Sequence, residues 1–211
     1  LLASSAASDV YKRQVFWNSC RQVFPIILGH VLLGAPAAWA FAKFHFRGKK
    51  ILYTLYIVLM LMPFQVTMVS SYLVLNKLGL IDTVWAVILP GAASTLPVFI
   101  MTRFFMDIPE AVMEAAAVDG ASSFQTFLRF GLPLGAPGIL SAVVLGFLEY
   151  WNAIEAPQAF LKNQALWPLS LYMSSITADN AGVSLIASLI TLMPPLLIFL
   201  SGQKYLEQGI I

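Results

Sequence analysis

Long apolar runs dominate the chain and recur in separate blocks, each interrupted by short polar stretches. A transmembrane helix needs about 20 mostly apolar residues. Prolines inside such helices are tolerated where neighbouring helices, hydroxyls or water satisfy the freed carbonyls. The pattern therefore predicts an all-α, polytopic bundle of transmembrane helices. Its five candidate spans are 23–41, 51–75, 84–105, 139–160 and 185–201.

Composition supports a lipid environment. Hydrophobic residues make up 59% of the chain and charged residues 10%, and the mean hydropathy is +0.82. A soluble domain carries roughly 25% charged residues to cover its surface. The net charge of +2 is small, and no basic stripe interleaves with aromatic residues, so nucleic acid is not an expected partner.

The first residues form a separate segment. Residues 1–14, "LLASSAASDVYKRQ", lack an initiator Met and are broken by serines, so they do not resemble a secretory signal. The string resembles translated adaptor sequence. We therefore expect a non-native leader at 1–14, a membrane domain at 15–211, and a chain that is a fragment lacking its true N-terminus.

Basic residues predict the orientation of the spans, because Lys and Arg concentrate in cytoplasmic loops. Leaving the leader and Arg21 aside, one side of the membrane would hold only Lys77 and Lys162. The opposite side would be cytoplasmic and would include the C-terminus. It would hold Lys43, Arg47, Lys49, Lys50, Arg103, Arg129 and Lys204.

A polar loop at 107–137 interrupts the apolar pattern on the predicted cytoplasmic side. In "DIPE", Asp107 is expected to cap a short helix, with Pro109 in its first turn and Glu110 completing a capping box. Gly120 suits a left-handed end to that helix.

A second short helix is expected to follow. Ser122 would cap it, with Gln125 reaching back, and the "GLP" at 131–133 would stop it. Phe124, Phe127 and Leu128 recur at helical spacing on one face of this segment. The loop thus predicts two amphipathic helices, each too short to span a bilayer.

Several kinds of chemistry are not supported by the sequence. His30 and His45 have no Cys or carboxylate at ligand spacing, so no metal site is expected. No GxxxxGK[ST] phosphate loop occurs, so the chain is not expected to hydrolyse ATP or to bind a cofactor itself. No Ser–His dyad is apparent, which leaves no catalytic residues and argues against an intramembrane enzyme.

The motif "EAAAVDGA" at 114–121, followed by "LP" at 132–133, resembles the EAA loop of ABC-importer permease subunits. "FWNS" at 16–19, "AAWAFAKFHFRGKK" at 37–50, "MPFQV" at 62–66, "NKLGLIDT" at 76–83 and "EYWN" at 149–152 resemble the carbohydrate-uptake, maltose-type subfamily. Such permeases have about six spans, so the resemblance implies that the first is missing here.

The resemblance implies a subunit of a bacterial inner-membrane importer that passes a sugar-like solute inward. It implies four kinds of partner: a second homologous permease forming a heterodimer, two ATP-binding cassette subunits that use the ATP, an extracytoplasmic solute-binding protein, and lipid. The EAA loop would be cytoplasmic and would couple to the ATPase. The implied coupling residues are Glu114, Ala115, Ala116, Ala117, Asp119, Gly120, Ala121, Leu132 and Pro133.

Polar residues in the fourth span form a candidate solute path. Glu149 and Asn152 lie about halfway along the predicted span and, if helical, share a face with Ala156. A charged acid at mid-bilayer is costly unless it faces water or a partner, so Glu149 is expected to point into the bundle. Trp151 and Glu155 complete the candidate set. Hydrogen bonding to solute and a purely structural carboxyl both remain open.

Other functions remain open at this stage. Permeases for polyamines, amino acids or phosphonates share the EAA loop. An autonomous transporter driven by an ion gradient through Glu149 or Glu155 is the less favoured alternative.

Overall fold

The computed structural model describes residues 2–175 and 181–207, without the side chains of residues 2–12, 181–187 and 190. Within that part of the chain every regular element is helical, which confirms the predicted all-α class. The N-terminal helices are α1 (Leu2–Gly29), a π-helical turn (His30–Gly34), α2 (Ala35–Lys43), α3 (Lys49–Leu61), α4 (Phe64–Lys77), α5 (Trp85–Ala92) and α6 (Thr95–Met106). Then follow α7 (Glu110–Val118), α8 (Ser123–Thr126), a second π-helical turn (Phe127–Gly131), α9 (Leu132–Leu134), α10 (Ala136–Trp151), α11 (Glu155–Phe160), a 3-10 turn (Gln164–Leu166), α12 (Leu169–Ser174) and α13 (Ala181–Glu207).

Two stretches among the described residues are long and apolar enough to cross a membrane by themselves. They are Arg13–Lys43, with 31 residues, and Trp85–Met106, with 22 residues. The pairs Lys49–Leu61 with Phe64–Lys77, and Ser123–Leu134 with Ala136–Trp151, raise the number to four if each bent pair is one span. The predicted span at 185–201 lies within α13, part of which falls outside the described side chains.

The chain divides into two compact units. The first unit comprises Leu1–Ile26, Pro63–Ala92 and Phe147–Ile198, and the second comprises Ile27–Met62, Ala93–Gly146 and Phe199–Ile211.

The second unit has an aromatic core centred on Trp39 of α2. The Trp39 ring meets Phe105 edge-on at 5.3 Å between centroids and packs against Phe127 at 5.7 Å. Met101 and Phe105 are fully buried in the same cluster. This core brings α2 and α6 together with the π-helical turn of the polar loop, so it provides the support on which that loop rests.

The first unit is tied together by amide side chains that bond to loop carbonyls. Asn18 of α1 donates to the carbonyls of Ala165 and Trp167, and Gln22 donates to that of Leu166. Asp82 accepts from the backbone N–H groups of Lys162 and Asn163 at 2.9 and 2.7 Å. These bonds hold the segment after α11 against α1 and the α4–α5 connection.

The start of the polar loop differs from the expected cap. Helix α7 begins at Glu110 with Pro109 as its N-cap in extended backbone, and no side chain caps it. Asp107 instead ends α6, so the expected box between Asp107 and Glu110 is wrong. The residue before a proline is biased away from helical conformation, which separates Asp107 from the helix that follows Pro109.

Two further boundaries differ from the sequence-based expectation. The "GLP" segment does not stop the second loop helix, because Gly131 continues through the π-helical turn into α9. The predicted span at 139–160 is also interrupted, since α10 ends at Trp151. Asn152 therefore lies outside α10, and the helical face expected to join Glu149, Asn152 and Ala156 does not form.

Candidate functional site

The first helix of the polar loop presents small residues outward. Ala116 of α7 is 2% exposed and packs inward, whereas Glu114, Ala115 and Ala117 are exposed. Val118 at the end of the helix is 88% exposed. The exposed residues between Glu114 and Val118 thus offer one carboxylate, two methyl groups and one isopropyl group, with no bulky side chain among them.

The bend after α7 is a complete Schellman motif. The backbone N–H of Ala121 donates to the Ala116 carbonyl at 2.9 Å, and that of Gly120 donates to the Ala117 carbonyl at 3.0 Å. Gly120 has φ +76°, the left-handed conformation that glycine adopts without steric cost. Asp119 is the C-cap residue, so the expected left-handed end of this helix at Gly120 is confirmed.

The second loop helix begins with the predicted capping box. The backbone N–H of Gln125 donates to Ser122 Oγ at 3.3 Å, and the Ser122 N–H donates to Gln125 Oε1 at 2.9 Å. Phe124 is 68% exposed and Leu128 44% exposed. Phe127 is 6% exposed because it turns into the Trp39 cluster, so the predicted apolar face is divided between core and surface.

The end of the loop packs tightly. A Cβ atom on Gly131 would lie 2.8 Å from Trp39 Cζ3, so only glycine fits beneath the indole. Leu132 is half-buried against the same cluster, and Pro133 is exposed. Leu132 and Pro133 therefore lie at the C-terminal end of the loop, where the chain continues into α10.

The polar residues near the end of α10 occupy different environments. Glu149 lies in the last turn of α10 and is exposed on the surface of this chain. Trp151 is 2% exposed, and its Nε1–H donates to the Thr191 carbonyl at 3.0 Å. The Trp151 ring stacks on Phe147 at 5.3 Å, so it supports the helix end.

Asn152 and Glu155 follow at the break between α10 and α11. Asn152 is exposed and donates from Nδ2 to the Leu148 carbonyl at 2.8 Å. The Glu155 carboxylate accepts a hydrogen bond from Gln65 Nε2 at 2.6 Å. Gln65 lies within the motif "MPFQV", but the sequence alone predicted no role for it. A polar side chain inside an apolar run is the signal that could have identified it.

The described residues contain no group of three His, Cys, Asp or Glu side chains that could hold a metal ion. The loop combines the Schellman bend at Gly120, the capping box at Ser122, exposed small and apolar side chains, and packing against the Trp39 cluster.

Comparisons with known proteins identify the family. The family described as binding-protein-dependent transport system inner membrane component matches residues 30–211. The arabinooligosaccharides transport system permease protein of Halalkalibacterium halodurans is 26% identical, over 92% of this chain and 71% of that protein. A probable ABC transporter permease protein of Pyrococcus horikoshii is 33% identical, over 92% of this chain and 72% of that protein.

Two further comparisons agree. The diacetylchitobiose uptake system permease protein of Streptomyces coelicolor is 29% identical, over 95% of this chain and 69% of that protein. A chain in the crystal structure of a bacterial ABC transporter involved in the import of the acidic polysaccharide alginate has a TM-score of 0.79 and 20% identity. That match covers 92% of this chain and 75% of the other, and it shows a shared fold.

The fold and the loop thus define an all-helical membrane permease. The chain belongs to the family of inner membrane components of binding-protein-dependent transport systems. The relatives are transport permeases and not enzymes. Membership implies that an ATPase and a substrate-binding protein act with this chain. The predicted family is confirmed.

Proposed function

We propose that this chain forms part of the path for a sugar or sugar-like solute and couples that path to cytoplasmic ATPase subunits through the loop at 107–137. The observation that carries the proposal is the outward face of α7, where Glu114, Ala115 and Ala117 are exposed next to the Schellman bend. The named solutes of two relatives, arabinooligosaccharides and diacetylchitobiose, support a carbohydrate as the class.

The loop is suited to docking on a protein groove. Alanine methyl groups at 115 and 117 permit close approach of a partner backbone, and Glu114 offers a charged anchor. Val118, Phe124 and Leu128 expose apolar surface on either side of the bend. Apolar residues clustered on an exposed surface mark interaction sites, and the capped helices present them without an ordering cost on binding.

The proposed orientation places the loop and the C-terminus in the cytoplasm. Basic residues support this side, because Lys43, Arg47, Lys49 and Lys50 flank the α2–α3 connection while Lys77 ends α4. ATP-binding cassette subunits work in the cytoplasm, so a loop that contacts them must face that side.

Crosslinking to the ATPase tests both coupling and orientation. In a background with Cys20 replaced by Ala, Ala117→Cys is expected to form a disulfide or bismaleimide crosslink with a cysteine in the groove of the cognate ATPase. Ala117 is exposed beside the bend, so its thiol would lie at the docked surface. The control is Ala116→Cys, which is buried and should crosslink poorly. Equal crosslinking at both positions, or none at either, contradicts the proposed docking.

For the solute path we propose the end of α10, with Glu149 and Asn152 facing the second permease subunit of a heterodimer. Both side chains are exposed on this chain, and the Glu149 carboxylate accepts no hydrogen bond among the described residues. A charged carboxylate in an apolar span needs water or a partner. A water-filled path between two permeases supplies that environment, and the two side chains would then bond to solute hydroxyls. Glu155, held by Gln65, would lie beside them in sequence.

Conservative replacements test this path. Glu149→Gln and Asn152→Ala are expected to assemble with their partners and to retain ATP hydrolysis stimulated by the binding protein. Uptake should fall by about tenfold, because each lost hydrogen bond to a polar solute is worth roughly 0.5–1.5 kcal/mol and more where charge is involved. Trp151→Phe is the control for packing, since Trp151 is buried and bonds to Thr191. Parental uptake in both path variants would place the path elsewhere, and failure of both to assemble would make the residues structural.

A further inference from the structure

A buried lysine connects two parts of the chain. One is the first long helix, the continuous stretch Arg13–Lys43 that ends with α2. The other is the start of the polar loop at 107–137, which is the proposed coupling loop. Lys43 is the last residue of α2, and its side chain is 2% exposed. Its ammonium donates to the Ile108 carbonyl and to Glu110 Oε1, the latter at 3.1 Å. Ile108 and Glu110 flank Pro109, the N-cap of α7.

Burial of this ammonium indicates that the contact is specific. A buried charge costs several kcal/mol unless it is paired and hydrogen-bonded. The Glu110 side chain is 69% exposed, so the ion pair by itself contributes little. The bond to the buried Ile108 carbonyl is therefore the stronger part of the contact. Together the two bonds attach the backbone just before α7, and the side chain of the first residue of α7, to α2.

Helix α2, which carries Lys43, also contacts the second half of the coupling loop. Trp39 lies one turn before Lys43 in α2 and packs against Phe127. Its ring also covers Gly131, where a Cβ atom would clash. One face of α2 thus contacts the loop before its first helix and again within its second.

We infer that Lys43 is a positioning residue that makes the coupling loop and the first long helix move as one rigid piece. The inference rests on the proposed function, since it concerns how movement of the docked loop reaches the spans. Arg13–Lys43 is one of the two stretches long enough to cross a membrane without a break. A rigid attachment at Lys43 therefore transmits loop displacement directly to a membrane-spanning helix.

Spin labels test the rigidity in the assembled importer, with the permease pair, the ATPase subunits and the binding protein present. Labels are placed at Ala111→Cys in α7 and Leu32→Cys in the first long helix, both exposed and outside the proposed coupling residues, in a background with Cys20→Ala. The distance between the labels is compared between two states of the importer, one trapped with ATP and vanadate and one free of nucleotide. In the parent we expect the distance between the two labels to be the same in both states. In Lys43→Met it should change by about 2 Å or more between states, the scale of ordinary helix shifts.

Matched variants separate the charge from packing. Lys43→Arg keeps donors for both acceptors and should retain the constant distance. Lys50→Met removes an exposed lysine of α3 and should behave as the parent. Constant distances in Lys43→Met, or a change as large in Lys43→Arg as in Lys43→Met, would overturn the inference.

Two further outcomes are decisive. If Lys43→Met does not assemble, Lys43→Gln decides, because its shorter neutral amide can be buried but cannot make both bonds of the lysine. A change in the label distance between the two states, smaller than that expected for Lys43→Met, supports the inference. A constant distance overturns it. If the loop at Ala117 fails to crosslink to the ATPase in the parent, the proposed coupling function fails. Normal crosslinking with constant distances in Lys43→Met removes only the role of Lys43.

Discussion

Replacement of Gly120 by Ala is expected to reduce uptake strongly while leaving the permease assembled in the membrane. Gly120 has φ +76°, and no atom lies within 4 Å of the position that a Cβ would take. The cost is therefore purely conformational, about 1–2 kcal/mol for an L-residue in the left-handed region. That cost lowers the population of the bent loop by a factor of roughly 5–30. Uptake by the reconstituted importer measures the effect.

Two glycine controls isolate the bend. Gly120→Asn should retain most of the uptake, because Asn tolerates the left-handed conformation. Gly79→Ala introduces the same kind of strain at φ +68°, again with no atom within 4 Å, but outside the loop. Its uptake should stay near the parental value. Equal loss in Gly79→Ala and Gly120→Ala would mean that general strain, and not the loop geometry, limits uptake.

Replacement of Gly135 by Ala is expected to destabilise the folded permease itself. A Cβ at this position would lie 2.1 Å from Phe105 Cε1 and 2.9 Å from the Gly131 carbonyl oxygen. Phe105 is fully buried and already packs against Trp39 and Phe127, so it has no room to move. Overpacking of a tight core costs about 1–3 kcal/mol or more. The thermal midpoint in detergent should fall by roughly 5 °C or more.

The control is Gly34→Ala in the same unit. Its Cβ would lie 3.6 Å from Val98 Cγ2, an ordinary van der Waals contact, so the thermal midpoint should change little. A parental midpoint for Gly135→Ala would show that the Phe105 cluster is looser than the geometry indicates.

The sequence predicted the helical class, the family and, within the loop at 107–137, the bend at Gly120 and the capping box of Ser122 with Gln125. These were accessible because their determinants are local. Gly120 ends a helix through its own backbone freedom, and Ser122 and Gln125 bond to each other within one turn. Short-range hydrogen bonds of this kind leave a readable spacing of residue types.

The features that sequence reasoning missed depend on contacts between distant segments. Lys43 reaches Ile108 and Glu110 across more than sixty residues, and Gln65 reaches Glu155 across ninety. No spacing of residue types along the sequence predicts these pairs. The same cause explains the error at "GLP", where Gly131 accommodates the Trp39 indole and does not end a helix. Phe127 likewise leaves the predicted surface face because the Trp39 cluster buries it.

The break after Trp151 was missed for a different reason. The apolar run continues through "NAIEAP" closely enough to read as one span. Hydrogen bonds to particular side chains and carbonyls accompany the break. Ser170 Oγ donates to the Ala153 carbonyl at 2.6 Å, and Asn152 bonds back to Leu148. Non-helical backbone in a membrane segment persists only where such partners exist, and they come from elsewhere in the chain.

The most direct measurement of the central proposal is uptake by the complete importer in proteoliposomes, with this chain, its permease partner, the ATPase subunits and the binding protein. Labelled arabinooligosaccharide and diacetylchitobiose are the first solutes to test, with a polyamine and an amino acid as controls. We expect uptake of a carbohydrate that requires both ATP and the binding protein and is strongly reduced in Gly120→Ala. Uptake that proceeds without ATP or without the binding protein, driven by an ion gradient alone, would contradict the proposal.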